Sequence, residues 1–149
     1  MTRQADMPQV TRQIQQQMDA LSQSTVDIEL ADPPDDPVPG TPACTAPDAE
    51  FDTTGALQIS SQELRSKARI LARPPYPPIA RAKRIEGRVV LEVLVSKTGD
   101  VICARTLEGD PLLLPVALLA AKVWKFEPFE TSENVSKVVG TLAIRFKLQ

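Results

Sequence analysis

The sequence contains no histidine. That removes the side chain most often used as a general base near neutral pH, and the commonest nitrogen ligand for metals. Cysteine is nearly as scarce. Cys44 and Cys103 stand far apart, with no CxxC or other zinc-type spacing. Their positions leave two readings open, a disulfide formed in an oxidising space or two separate thiols. Aromatic residues make up only 4% of the chain, so any core must lean on aliphatic side chains. No stretch of about 18 apolar residues is present to cross a membrane as a helix. The opening "MTRQADMPQV" lacks the apolar centre of a secretory signal. A chain soluble where it is made, or one separated from an N-terminal piece, would look like this. With no histidine and no Cys, Asp or Glu clustered at catalytic spacing, the expectation is a protein that is not an enzyme and has no metal or cofactor.

What is present divides unevenly along 149 residues, a length that suits one domain and an extension. Residues 1–61 hold 2 Lys/Arg against 10 Asp/Glu, whereas residues 62–149 hold 15 against 9. An acidic leader ahead of a basic domain is either a self-shielding arm or two independently solvated surfaces. Within the leader, Met7, Val10, Ile14, Met18 and Leu21 recur at helical spacing, which predicts an amphipathic helix over 5–23. Residues 31–47, "ADPPDDPVPGTPACTAP", predict a proline-rich linker, with an extended reach of roughly 50 Å at about 3.1 Å per residue. "LQIS" (57–60) predicts a short strand at the domain edge, and "SQELRSKARIL" (61–71) a helical or extended lead-in.

From Gly87 the pattern sharpens. "RVVLEVLVS" (88–96) places Val89, Leu91, Val93 and Val95 on one face of a strand. "KTGD" (97–100) has hairpin length and a glycine. "VICARTL" (101–107) returns, with a slip in alternation at Ile102 and Cys103 that suggests a bulge. Asp110 and Pro111 predict a helix start, with the regular helix delayed to Pro115. Ala117, Ala120, Ala121 and Trp124 then form a small-residue face ending in a large plug. After a loop at 131–134, "KVVGTLAIRFKL" (137–148) alternates again. The order strand, strand, helix, strand is a split βαβ unit. A right-handed crossover gives an α+β fold with a three-stranded antiparallel sheet in the order 2-1-3, one helix on one face and a short N-terminal helix. Its third strand would be an open edge. Val89, Leu91, Val93, Val101, Ala117, Ala121 and Trp124 are the expected core. Val90 and Leu94, on the opposite sheet face, also need cover, which the lead-in at 56–72 would supply.

Upstream lies "RPPYPPIARAKRIEG" (73–87). Its prolines fix their own φ and push their predecessors extended, so Tyr76 is held as a rigid anchor against the sheet or offered to a partner. "PIARAKRIEG" predicts about two helical turns capped at Gly87.

These pieces carry a resemblance. "YPPIARAKRIEGRVVLEVLVSKTGDV", "GDPLLLPVALLAAKVWKFEP" and "GTLAIRFKL" resemble, in order and spacing, the C-terminal domain of TonB proteins, over residues 74–148. The resemblance divides the chain into a leader (1–61) and a TonB-like domain (62–149). It implies a periplasmic protein-binding module of an energy-transduction system, anchored in the inner membrane in the family although this chain has no anchor. The implied partners are a TonB-dependent outer-membrane receptor segment, gripped by β-strand addition, and inner-membrane motor proteins wherever an anchor exists. The implied receiving edge runs over 137–148, with Lys137, Val139, Thr141, Leu142, Ile144, Arg145 and Phe146 as contacts and Arg73, Tyr76 and Arg84 flanking them. The physics of an open edge permits this independently. The competing reading is a structural or dimerising adaptor in which the edge pairs with its own copy as a homodimer. A nucleic-acid role is disfavoured, since strands 88–96 and 101–107 carry no aromatic on which a base could stack.

Overall fold

A computed structural model describes residues 24–130 and 135–148. The predicted helix over 5–23 and the loop at 131–134 lie outside the described residues. Among the described residues, eight strands and three short helices follow in order: β1 (Ser24–Leu30), β2 (Ala43–Cys44), β3 (Leu57–Gln58), α1 (Ser61–Ser66), β4 (Ala68–Ile70), α2 (Pro78–Ala82), β5 (Gly87–Ser96), β6 (Val101–Glu108), α3 (Leu114–Lys122), β7 (Lys125–Phe126) and β8 (Lys137–Leu148).

β5, β6 and β8 form the centre of the main sheet in the spatial order β6-β5-β8, antiparallel throughout. The expectation of a three-stranded sheet is corrected, because β1, β2 and β3 make it six-stranded among the described residues. β1 pairs antiparallel with β8 from Ser24↔Leu148 to Leu30↔Leu142. β3 pairs parallel with the start of β8, Leu57 opposite Val138 and Gln58 opposite Val139. β2 pairs with the outer side of β6. The β5–β6 ladder steps from Leu94↔Cys103 to Val95↔Val101, which leaves Ile102 as a bulge. A second, two-stranded sheet joins β4 to β7.

The core lies on one face of the main sheet. Val89, Leu91, Val93, Val101, Ala117, Ala121 and Trp124 are all buried there, with Leu113, Leu142, Ile144 and Phe146. α3 begins at Leu114 because Asp110 organises the preceding turn. Its Oδ1 accepts from Leu112 N–H at 2.9 Å, and its carbonyl accepts from Leu113 N–H at 2.8 Å. The small residues Ala117, Ala120 and Ala121 face inward. Trp124 follows the helix and drives its ring into the cluster, its indole N–H donating to Ala72 O at 2.8 Å. The segment 78–86 departs from the two-turn helix expected. α2 is five residues long and ends where Arg84 adopts φ 55°, rather than at a Gly87 cap. Gly87 opens β5 instead.

The β5–β6 turn needs its glycine for two reasons. Gly99 has φ 101°, and a Cβ there would lie 2.0 Å from Phe126 O. The turn is tied to β7 beside it, since Phe126 N–H donates to Gly99 O at 2.9 Å and Lys125 Nζ meets Asp100 Oδ1 at 2.9 Å. That hydrogen bond and charge hold the Asp100 carboxyl below the ordinary aspartate range. A lowered carboxyl contributes to stability above the ordinary value and loses that contribution as pH falls through the lowered one. Lys125→Ala should return the Asp100 midpoint to the ordinary range in an NMR titration. An unmoved midpoint would show that another group sets it.

Candidate functional site: the β8 margin and the strap around the sheet

β8 alternates as its sequence requires. Ile59 N–H donates to Val139 O at 3.0 Å on the outer side of the strand. Strand alternation therefore turns the main-chain groups of Thr141, Ala143, Arg145 and Lys147 outward as well. Those of Leu142, Ile144 and Phe146 turn inward to β5. By the same register, Glu29, Asp27 and Thr25 of β1 turn their main-chain groups to β8.

The open edge expected from the sequence is corrected at this point. β1 covers β8 from Leu142 to Leu148, and β3 covers Val138 and Val139. The two segments approach from opposite ends and leave the edge at Gly140 and Thr141. Thr141 Oγ1 donates to Ala31 O at 2.6 Å. The absence of a side chain at Gly140 admits Leu64 and Ile59, whose atoms would lie 3.1 and 3.3 Å from a Cβ there.

The proline-rich segment is not a free linker either. After β1 the chain crosses the outer face of the sheet, where buried Ala31 packs with Val90, Leu107 and Ala143. It then runs along β6, with Val38 N–H donating to Leu107 O at 3.1 Å and Gly40 N–H to Thr106 O at 2.8 Å. Cys44 is opposite Cys103 in the ladder, and the two form a disulfide. The chain returns by Phe51, whose ring lies 4.3 Å below the Arg105 guanidinium. Cover for Val90 thus comes from the leader, not from the lead-in at 56–72. Prolines suit this path. Their pre-set extended backbone loses little entropy on docking, and a missing N–H costs nothing on the solvent side of an edge strand.

The residues expected to greet a partner mostly meet the chain itself. Tyr76 is 8% exposed and stacks edge-on against Phe146, ring centroids 5.4 Å apart. Its hydroxyl donates to Ile85 O, and burial pushes that hydroxyl above the ordinary tyrosine range. Leu142, Ile144 and Phe146 belong to the core. Val139 and Thr141 are buried against Gln58 and Ala31. Arg145 donates from Nε to Glu29 Oε2 at 2.8 Å, and Lys137 Nζ lies 4.0 Å from Asp52 Oδ2. Arg73 is exposed and lines a cleft of about 380 Å³ with Arg65, Arg69 and Asp27. Arg84 is exposed on the turn before β5. Ser24–Leu30 is not among the expected strands, although the segment announces itself. Val26, Ile28 and Leu30 alternate with Thr25, Asp27 and Glu29, the period of a half-buried strand.

The family described as the Gram-negative bacterial TonB protein C-terminal matches residues 72–148. The chain belongs to that family. The match takes in Tyr76, the β5–β6 hairpin, α3 and the whole of β8, so the TonB domain of this chain ends its sheet at β8. β1, β2, β3 and the strap between them are additions to it. A solution structure of the Pseudomonas aeruginosa TonB C-terminal domain is 28% identical over 56% of this chain and 86% of that one, with a TM-score of 0.44. No curated protein matches the chain at a significant level.

Proposed function

We propose that this chain is the periplasmic partner-binding module of a TonB-like energy-transduction system, and that it takes extended segments of outer-membrane transporters as an added strand along β8. The observation that carries this reading is β1 itself. The margin at which the TonB domain ends already accepts a seven-residue strand in continuous register. It is bound through main-chain groups that any extended peptide possesses. Arg145 lies within the seat that β1 occupies, Lys137, Val139 and Thr141 line the rest of the margin beside β3 and the strap, and Tyr76 and Phe146 act from beneath it by holding β8 in place. The Cys44–Cys103 bond suits an oxidising compartment such as the periplasm. Contact with the inner-membrane motor would belong to a membrane anchor, and among the described residues no helix is long and apolar enough to cross a membrane.

The test is a titration of the isotope-labelled chain with a synthetic peptide from the periplasm-facing N-terminal segment of an outer-membrane transporter. The outward amides of Ala143, Arg145 and Lys147 should shift and those of β1 should lose their ladder signatures. Shifts confined to β6, α3 or the β5–β6 turn would place the partner elsewhere and reject the reading.

A further inference from the structure

The side chains around the β1 seat specify more than an extended backbone. Arg88 and Arg145 are directly opposite each other across the β5–β8 ladder. Like charges in such a pair repel. β1 relieves the repulsion twice. Asp27 is opposite Arg145 on the other side of β8, and Glu29 pairs with the Arg145 guanidinium at 2.8 Å. Asp27 also borders the cleft lined by Arg65, Arg69 and Arg73. Removing β1 would take the Glu29 carboxylate from Arg145 and the Asp27 residue from its place opposite Arg145 and beside the arginine-lined cleft. Glu92, the nearest acidic residue of β5, is engaged elsewhere, since its Oε1 receives Arg105 at 2.6 Å.

The hold on β1 is also lighter than that on its neighbours. Val26 and Ile28 are only partly buried and Leu30 is 49% exposed, whereas Leu142, Ile144 and Phe146 of β8 are all at 1% or below. The strand is tethered after its C-terminal end, by Thr141 to Ala31 and by the pairing of Val38, Gly40 and Cys44 with β6. It can therefore leave the sheet without the strap coming undone. Once displaced, it stays tethered at high effective concentration beside its own seat.

We infer that β1 is a resident competitor for the β8 seat, and that the segment which replaces it is an extended acidic peptide presenting carboxylates two residues apart to Arg145 and the adjoining arginines. This rests on the reading of β8 as the partner seat and adds the partner's chemistry and a built-in threshold for binding. Such a threshold follows from population arithmetic, because apparent affinity falls by the fraction of molecules whose seat is open.

The experiment uses the whole chain and its Asp27→Pro variant. Proline at this position deletes an amide that faces β8 and so weakens β1 without touching the TonB domain. The probe is a synthetic peptide of the β1 sequence, STVDIEL, alongside STVNIQL, in which both carboxylates become amides. STVDIEL should bind the variant at least about tenfold tighter than the unaltered chain, shifting the amides of Ala143, Arg145 and Lys147. At low salt it should also bind the variant about tenfold tighter than STVNIQL, with that margin shrinking as salt rises. Equal affinity for the two chains would show that β1 does not compete, and equal affinity for the two peptides would show that the seat does not select carboxylates. Should the variant fail to fold, hydrogen exchange on the unaltered chain decides. Ala143, Arg145 and Lys147 amides should exchange at least about tenfold faster than those of Leu142 and Ile144, and equal protection overturns the proposal. A transporter peptide that fails where STVDIEL succeeds would reject the transporter reading and leave the seat intact. A transporter peptide that binds both chains equally would keep that reading and remove the competitor.

Discussion

Trp124→Ala should lower the unfolding free energy by about 3–5 kcal/mol, the range for truncating a large buried aromatic. The indole is fully buried in the cluster that joins α3 to the sheet. Its surroundings have little means of closing the gap, because Ala117 and Ala121 are the inward residues of the adjoining helix and cannot extend into it. Truncation would also remove the N–H that satisfies Ala72 O at 2.8 Å, leaving that carbonyl without its donor in a partly buried position. For a chain of this size the loss corresponds to a fall in Tm on the order of 10 °C. Urea unfolding followed by far-UV circular dichroism measures it directly. Trp124→Phe keeps most of the apolar volume while losing the N–H and the outer part of the ring, so it should cost less than half as much. A loss below about 1 kcal/mol for the alanine variant would mean that the α3 face is not the core that the burial describes.

Breaking the Cys44–Cys103 bond should cost about 4 kcal/mol. The two cysteines are 59 residues apart in sequence, and cross-linking a loop of that length removes about this much entropy from the unfolded chain at 25 °C. The paired substitution Cys44→Ala and Cys103→Ala is the appropriate variant, because Cys103 is fully buried and a serine there would add an unpaired hydroxyl. Denaturant unfolding of the unaltered chain with and without reductant should bracket the same difference, and the double-alanine variant should be indifferent to reductant. Equal stability of oxidised and reduced chains would overturn the expectation. The bond also joins the strap to β6, so its loss should raise hydrogen exchange at Gly40 and Thr45, whose amides donate to Thr106 O and Ile102 O.

Both effects fall on features of different legibility. Trp124 could be placed in the core from residue order alone. It closes a run of alanines at helical spacing, after a start marked by Asp110, Pro111 and Pro115 and before a stop at Pro128. Each of those signals is local and steric, so it acts wherever the chain goes. The same holds for β5, β6 and β8, whose alternation states which residues share a face. It also holds for the turn at Gly99, where no other residue would accept the backbone angle and the contact with Phe126 O. Even the bulge at Ile102 showed as a slip in alternation. The disulfide did not show. Two cysteines separated by 59 residues meet only because the strap runs along the outer edge of β6, and nothing in their spacing requires that path.

The strap illustrates the limit more sharply. Its prolines and aspartates read as a spacer because they offer no apolar face, yet the segment is held on the sheet by main-chain hydrogen bonds from Val38 and Gly40, which carry almost no residue signature. The candidate site was legible as a strand, as a set of arginines and lysines, and as membership in a family. Its occupancy was not. Alternation in Ser24–Leu30 states that the segment can be a strand, but several extended segments compete for each edge, and pairing energy barely distinguishes them. Long-range register and side-chain packing choose among them. Residue order alone therefore determined the β-β-α-β unit, its buried face and the strand that can accept another. Only the tertiary structure decided which segment of the chain fills that place, because a sheet edge binds backbone first and side chains second.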